Sequence, residues 1–271
     1  MSDQKNIAVK GLVRFSYPAQ GGFALSDKGL DVVEATLYDP DRLERRFTYF
    51  ETLALPSLLF QDDQNFETGI LVGDTFPDAA LARLDALVAD HPSLHVITLP
   101  SMNHIQAVKA SFDALPQAED ATHVATFRLD DDDAMHKGTV DRVRTLATGI
   151  LPLRLHDDPF CIAFNRGFYL DTSDRETPLR ECYERAPLGV GMALVTGLDT
   201  GQNVFSRNHR AISQFYDTFT EVNRPMFIRS VHEDNDSGAA PTGRAREWKE
   251  KRLRHYLRNE FGLDYDTVRA L

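Results

Sequence analysis

The first 150 or so residues alternate between short apolar segments and longer segments with apolar residues on one helical face. The apolar segments are rich in β-branched residues, which is typical of buried strands. The predicted strands are, in chain order, "IAVKGLVRFS", "TGILVGD", "LHVITLP" and "ATHVATFRL". The predicted helices are "DRLERRFTYFETLALPSLLF", "FPDAALARLDALVADHP", "HIQAVKASFDAL" and "GTVDRVRTLATGI". This alternation predicts an α/β fold with a mostly parallel, Rossmann-type sheet flanked by helices.

The first of these helical segments contains a proline. Pro56, in "TLALPSLLF", has no backbone N–H, and its ring clashes with the carbonyl group four residues earlier in a regular helix. We therefore expect the helix to kink or to end at this point.

After about residue 150 the pattern is less regular. "FCIAFNRGFYLDTSD" predicts one or two strands with a hairpin around residues 165–167, and "MFIRSV" predicts a late strand. "NHRAISQFYDTFTEV" predicts a helix, and "REWKEKRLRHYLRNEFG" predicts a basic C-terminal helix with Trp248 packed inward. Because we find no repeat or linker-like stretch, we predict a single domain over residues 1–271, with a regular half (1–150) and an irregular half (151–271).

Composition and charge narrow the class of protein. A chain of 271 residues with 42% hydrophobic residues can bury a sizeable core, and its net charge of -11 argues against a general nucleic-acid binder. The start, "MSDQKNIAVK", does not resemble a signal peptide, and no apolar run approaches the ~20 residues that span a bilayer. Cys161 and Cys182 lack metal-site spacing and are expected to be reduced thiols. We expect a cytoplasmic protein without a transmembrane segment.

Four consecutive aspartates, Asp130 to Asp133 in "FRLDDDDAMH", directly follow the fourth predicted strand. Two carboxylates about 4 Å apart repel each other by about 1 kcal/mol in water and by several times that near a protein surface. The run is therefore either a solvated acidic turn or the surroundings of a cation. Ligands of parallel sheets bind beyond the carboxyl ends of the strands, and paired carboxylates suit Mg²⁺ or Mn²⁺. We favour a metal site in an extended segment, in which alternate aspartates face opposite sides.

Other polar residues are expected near the same edge of the sheet. Arg14, in "RFSYP", and Arg128 end two strands, where they could meet a diphosphate or pair with the aspartates. Asn208 and His209, in "NHRAI", lie at a predicted helix start, where anions bind readily, although Asn208 could equally be only the helix cap.

A late histidine is a further candidate. "VHEDNDSG" begins like a zinc-protease motif, but its fifth motif position is Asp236 rather than a second histidine. His232 is therefore either one ligand of an ion shared with the aspartates or a histidine in a polar surface loop.

The series "RFSYP", "FETLALPSLLFQ", "FRLDDDDAMH", "FYL", "NVFSRNHRAI" and "HEDNDSG" resembles a bacterial rhamnosyltransferase family, which is similar to nucleotide-sugar glycosyltransferases of the GT-A fold. The resemblance extends from about Arg14 to Gly238. It implies a GT-A-like enzyme that uses Mn²⁺ or Mg²⁺ and moves rhamnose from a nucleoside-diphosphate donor, such as dTDP-rhamnose, to a glycan or lipid-linked acceptor. Residues 1–150 would then bind the nucleotide sugar, and residues 151–271 would face the acceptor.

The resemblance also implies roles for individual residues. Asp130 would bind the nucleotide side of the donor, and Asp132 and Asp133 would bind the metal ion together with His232. Because the four aspartates are consecutive, Asp131 could replace one of the others.

The candidate donor-binding residues are Arg14, Arg128, Asp130, Asn208 and His209. If the transfer inverts the anomeric carbon, a carboxylate must take the proton of the acceptor. The candidates for this base are Asp199, Glu233 and Asp234.

Two other functions remain open on the sequence. The chain could bind a sugar nucleotide without turning it over, or it could be a metal-dependent phosphohydrolase. The common phosphohydrolase signature DxDx(T/V) is absent, since Asp132 is followed by Asp133 and Ala134. The basic C-terminal helix could also make a peripheral contact with anionic lipid.

Overall fold

The computed structural model describes residues 5–21, 28–232 and 240–271. At its centre lies a seven-stranded sheet with the strand order β10-β6-β9-β4-β1-β2-β3. Its strands are β1 (Ile7–Arg14), β2 (Glu67–Gly73), β3 (Leu94–Leu99), β4 (His123–Asp130), β6 (Phe160–Phe164), β9 (Ala193–Gly197) and β10 (Asp217–Glu221). All of them run in the same direction except β9, which is antiparallel to both of its neighbours. The carboxyl ends of the other six strands therefore meet at one edge.

The described residues also form α-helices, several of which pack against this sheet. They are α1 (Leu30–Leu37), α2 (Pro40–Tyr49), α3 (Leu55–Leu59), α4 (Asp78–Val88), α5 (His104–Ala114), α6 (Thr139–Ile150), α7 (Glu250–Tyr256) and α8 (Tyr265–Arg269). The four strands and the helices predicted for the first half of the chain are all present. The predicted α/β class, with a mostly parallel sheet flanked by helices, is confirmed.

A second sheet of five short strands has the order β12-β8-β7-β11-β5. Its strands are β5 (Ala134–Met135), β7 (Arg166–Asp171), β8 (Leu179–Tyr183), β11 (Phe227–Val231) and β12 (Ala245–Arg246). β5 directly follows the aspartate run and pairs with β11, which brings a late strand beside the end of β4. The second sheet thus connects two distant parts of the chain at the edge where the aspartates lie.

Two predictions for the second half are wrong. The segment around residues 165–167 is not a hairpin, because β6 belongs to the first sheet and β7 to the second. The helix predicted over 208–222 is a short 3-10 helix, His209–Gln214, followed by β10. In "DTFTE", threonines alternate with acidic and aromatic residues, and this β-forming pattern pairs with β6 along its whole length.

The expected irregularity at Pro56 is a π-helical segment, Phe50–Ala54, between α2 and α3. A wider turn relieves the clash between the proline ring and the preceding carbonyl groups while the chain continues in the same direction. Phe50 and Leu53 of this segment are fully buried. The segment therefore anchors the end of α2 in the core.

Aromatic residues connect α2 with the first sheet. Phe15, just after β1, packs against Phe47 and Phe50, with ring centroids 4.8 and 5.4 Å apart. Trp248 is buried in a separate cluster and donates to Glu181 at 2.8 Å, so its predicted inward packing is confirmed. Within the described residues, no helix is long and apolar enough to cross a membrane.

Candidate active site

The aspartate run forms a tight turn at the carboxyl edge of the first sheet. The backbone N–H of Asp133 donates to the carbonyl oxygen of Asp130 at 3.2 Å. The exposed fractions of Asp131, Asp132 and Asp133 are only 3 to 5%. The solvated acidic turn is therefore excluded, and the expected extended segment with alternating faces is also wrong.

Asp130 is held by two arginines that end or nearly end neighbouring strands. Arg14 of β1 is directly opposite Asp130 in the strand register and donates to it at 2.9 Å. Arg128 donates to the same carboxylate at 3.2 Å. Both guanidinium groups lie over the ring of Phe205, at 5.2 and 5.0 Å. Burial disfavours the Asp130 carboxylate, but Arg128 and Arg14 outweigh burial and hold its pKa below the ordinary value.

Asp131 pairs with a buried arginine from α2. Arg46 donates to both oxygens of Asp131, through Nε at 2.8 Å and through Nη2. Its exposed fraction is 7%. Burial opposes the charge of Arg46, yet the carboxylates of Asp131 and Asp132 raise its pKa above the ordinary value. The positive charge expected among the aspartates is thus supplied, in part, by a side chain.

Asp132 contacts two cations or potential cations through one oxygen. Its Oδ2 accepts from Arg46 Nη1 at 3.1 Å and lies 2.8 Å from Nε2 of His232, which is 100 residues away in the sequence. The imidazole of His232 stacks on the ring of Tyr49, with centroids 4.3 Å apart and planes 18° apart. The structure therefore brings together Asp132 and His232, which the sequence had singled out separately.

Asp133 is directed toward β11. Its Oδ1 accepts the backbone N–H of Ser230 at 2.9 Å. Burial and the neighbouring charges of Asp132 and Asp130 raise its pKa well above the ordinary value. The four aspartates thus have four different sets of partners. Asp130 contacts the arginines at the strand ends, whereas Asp132 contacts His232.

The other donor-side candidates lie beside Arg128. Nδ1 of His209 lies 3.4 Å from Arg128 Nη1, and burial together with Arg128 lowers the pKa of His209 to about 3. His104, which sequence reasoning missed, has its pKa lowered to about 4 by burial and by Arg14 and Arg128. Both imidazoles are neutral at physiological pH. Asn208 is exposed, and its side chain accepts from the backbone N–H of Arg210 at 2.9 Å, which is the role of a helix cap.

The candidate bases differ in their placement. Asp199 lies in a short 3-10 turn after β9, and Gly197 at the end of that strand pairs with His123 at the start of β4. Since β4 rises about 3.3 Å per residue, Asp199 lies roughly 20 Å from the aspartate run, at the opposite edge of the sheet. The structure does not bring it to the site. Glu233 and Asp234 lie outside the described residues.

The sequence matches a family profile described as "Putative rhamnosyl transferase" over residues 8–244. The chain belongs to this family. This is the family that the resemblance in the motifs implied. The aspartate run, Arg14, Arg128 and His232 all lie within the matched residues.

Two solved structures are similar to this family member. S. aureus TarS 1-349 in complex with UDP-GlcNAc has 14% sequence identity and a TM-score of 0.46, with 84% of this chain and 60% of that chain covered. The UDP complex of the same protein has 14% identity and a TM-score of 0.45, with 83% and 60% covered. No curated protein sequence matches. The chain spans about 60% of the length of these solved structures.

The residues at the aspartate turn fit a divalent ion that arrives with a diphosphate. Among the described residues, no group of three or more histidine, cysteine or acidic side chains is arranged to hold an ion alone. Asp132 and His232 do converge, at 2.8 Å. One or two protein ligands, with phosphate oxygens and water completing the shell, are the usual arrangement for Mg²⁺ with nucleotides.

Sequence reasoning missed Arg46 and Tyr49. One signal was available for Arg46, because it lies one turn after Leu43 and one turn before Phe50, on the apolar face of α2. A charged residue at a core-facing position of a helix is rarely buried without a partner. The pattern therefore indicated a buried ion pair, although it could not identify the aspartates as the partners.

Proposed function

We propose that this glycosyltransferase transfers rhamnose from a nucleoside-diphosphate donor to a hydroxyl group of a glycan or lipid-linked acceptor. The donor would bind at the carboxyl ends of β1 and β4, with Mn²⁺ or Mg²⁺ at Asp132 and His232. The observation that carries the proposal is the contact between these two residues, 2.8 Å apart and 100 residues distant in sequence, beside the arginine-bound Asp130.

The strand-end residues have the chemistry to bind the nucleotide side of a donor. Arg14 and Arg128 present guanidinium groups, which form charge-assisted hydrogen bonds with phosphate oxygens. Asp130, ionised and oriented by both arginines, can accept hydrogen bonds from ribose or sugar hydroxyls. The neutral imidazoles of His104 and His209 add hydrogen-bonding groups without adding charge.

Asp132 and His232 would hold the divalent ion, and Asp133 lies next to them with its carboxyl group on the backbone of β11. The ion supplies Lewis-acid stabilisation for the negative charge that grows on the departing nucleoside diphosphate. Burial of the turn strengthens every charge interaction made there, since the effective dielectric constant is lower than in water.

If the transfer inverts, a carboxylate of this chain takes the proton of the acceptor hydroxyl group. Glu233 and Asp234 directly follow His232 in the sequence, and they are our candidates for this base. Asp199 is not proposed, because it lies at the opposite edge of the sheet.

The test is release of nucleoside diphosphate from a panel that contains dTDP-rhamnose and UDP-sugars, with added Mn²⁺ or with EDTA. We expect slow, metal-dependent release from dTDP-rhamnose in the wild type and its loss in Asp132→Asn. Asp85→Asn makes the same chemical change at an exposed position of α4 and serves as the control. Release from another donor alone would contradict rhamnose as the transferred sugar. Equal release rates with Mn²⁺ and with EDTA would contradict the metal dependence.

The same assay separates the two alternatives. A non-catalytic binding protein would bind a sugar nucleotide without turning it over under any condition. A phosphohydrolase would release phosphate from simple monoesters, which a glycosyltransferase leaves intact.

A further inference from the structure

The last turn of α2 presents two side chains to the aspartate turn. Arg46 contacts Asp131 and Asp132, and Tyr49, one helical turn later, stacks on His232. We infer that Arg46 and Tyr49 are positioning residues, which fix the orientation of Asp132 and His232 for the divalent ion. The inference rests on the proposed function and deepens it.

Arg46 fixes the carboxylate of Asp132 through a rigid fork. The guanidinium group is planar, and two of its nitrogens are committed to Asp131. The third nitrogen, Nη1, then meets Asp132 Oδ2 at 3.1 Å in a direction set by the first pair. Asp131 is in this arrangement the anchor of Arg46 and not a ligand of the ion.

Tyr49 fixes the plane of the imidazole. Its ring lies nearly parallel to that of His232, with an interplanar angle of 18°, and its exposed fraction is 8%. A stacked imidazole cannot rotate about its Cβ–Cγ bond without losing this contact, so Nε2 stays directed at Asp132. Residues that contact a metal-binding histidine commonly set its ring orientation, usually through a hydrogen bond, and here the contact is a ring stack.

The backbone of α2 is itself held in place. Phe47, between the two positioning residues, packs against Phe15 at 4.8 Å, and the fully buried Phe50 begins the π-helical segment. The helix end that carries Arg46 and Tyr49 is thus fixed in the core. π-helical turns are frequent at functional sites, where they set the direction of nearby side chains.

The test measures binding of Mn²⁺ to the full chain in the presence of dTDP. The amount of free Mn²⁺ is read from its electron paramagnetic resonance signal. Three variants are used: Tyr49→Leu, Arg46→Lys, and the double variant Arg46→Met/Asp131→Asn. The double variant removes Arg46 together with its bidentate partner Asp131, and Asp132 keeps its contact with His232. We expect each to weaken Mn²⁺ binding by about tenfold or more, as for other partners of metal ligands.

Two comparisons separate positioning from a structural role. Tyr49→Phe keeps the ring and should retain more Mn²⁺ affinity than Tyr49→Leu. Arg83→Met removes an arginine that pairs with Glu44 and Glu51 on the surface, and it should bind Mn²⁺ like the wild type. Calorimetry of dTDP binding without a divalent ion should change less than twofold in the positioning variants, because Asp130, Arg14 and Arg128 are untouched.

The outcomes distinguish the inference from the proposed function. If the wild type binds Mn²⁺ with dTDP and the three variants bind it equally well, the positioning role is wrong and the ion site stands. If the wild type binds no Mn²⁺, the proposed ion site is wrong, and the positioning role is overturned with it.

Discussion

His136 is fully buried three residues after the aspartate run, and burial keeps its imidazole neutral. Its Nδ1 accepts the backbone N–H of Gly138 at 2.9 Å. Its Nε2 lies 3.0 Å from a carboxylate oxygen of Glu260, yet burial, with the charges of Arg224 and Lys137, lowers its pKa to about 3. In the unfolded chain a histidine takes up a proton near pH 6.5. The free energy of unfolding should therefore fall as the pH drops from about 6.5 toward 3, because only the unfolded state binds this proton.

Substitution of His136 tests this dependence. We expect His136→Asn, whose Oδ1 can replace the acceptor, to be less stable at pH 7 but to lose less stability on acidification. The difference in slope approaches one proton, or about 1.4 kcal/mol per pH unit. Urea unfolding at several pH values measures it, with His156→Asn at an exposed position as the control. Equal slopes in His136→Asn and the wild type would show that this side chain does not contribute.

At the scale of single residues, the sequence revealed groups with a local sign of function. Asp130 to Asp133 and His232 were found because each lies at the end of a predicted strand. The roles of Arg46 and Tyr49 were missed because their partners lie 85 or more positions away, and no local pattern identifies such a partner. The separate contacts of the four aspartates could not be predicted either, because their partners are distant in the sequence.

At the scale of elements, two glycines differ in the space that surrounds them. Gly167 in β7 is opposite β11, and an added Cβ would lie 2.5 Å from the carbonyl oxygen of Phe227. Gly149 in α6 is exposed, and a Cβ there would meet nothing within 4 Å.

Alanine at these two positions should have opposite effects. Gly167→Ala forces β7 away from β11, which carries Ser230 and directly precedes His232, so we expect a loss of about 1–3 kcal/mol in unfolding free energy and weaker Mn²⁺ binding. Gly149→Ala should gain about 0.5–1 kcal/mol through helix propensity, with Mn²⁺ binding unchanged. Chemical denaturation and the Mn²⁺ titration measure both. A Gly167→Ala protein as stable as the wild type would show that β7 and β11 can separate without cost.

Elements were predictable where periodicity was strong and local. The four strands and four helical segments predicted for the first half were found because their apolar pattern follows one period, whereas the short α1 and β5 were not predicted. β10 was read as a helix because its five residues continue an amphipathic-looking stretch, and only pairing with β6 decides its state. The exchange between sheets at Asn165 was invisible for the same reason.

At the scale of the whole molecule, the chain passes twice from the first sheet directly into the second. β4 lies in the first sheet and the next strand, β5, in the second. In the same way, β6 lies in the first sheet and β7 in the second. One hydrophobic cluster contains Phe127 and Val195 from the first sheet together with Tyr169 and Phe227 from the second. Neither sheet can therefore separate from the other without exposing a common core.

We accordingly predict a single cooperative unfolding transition. Trp248 is the only tryptophan of the chain and reports on the cluster beside the second sheet. The far-ultraviolet circular dichroism reports on the helices and strands of the whole chain. It should change at the same urea concentration as the fluorescence of Trp248. Two separated midpoints would contradict the prediction of one domain over residues 1–271.

The wide spacing of Arg46, Asp132 and His232 along the chain also sets an order of assembly during translation. Arg46 leaves the ribosome 86 residues before Asp132, so the acidic turn has its counter-charge available as soon as it emerges. His232 follows 100 residues later, roughly 5 to 20 s at ordinary elongation rates. During that interval the nascent chain holds neutralised aspartates without the histidine. The contact between Asp132 and His232 can form only after β11 has been made.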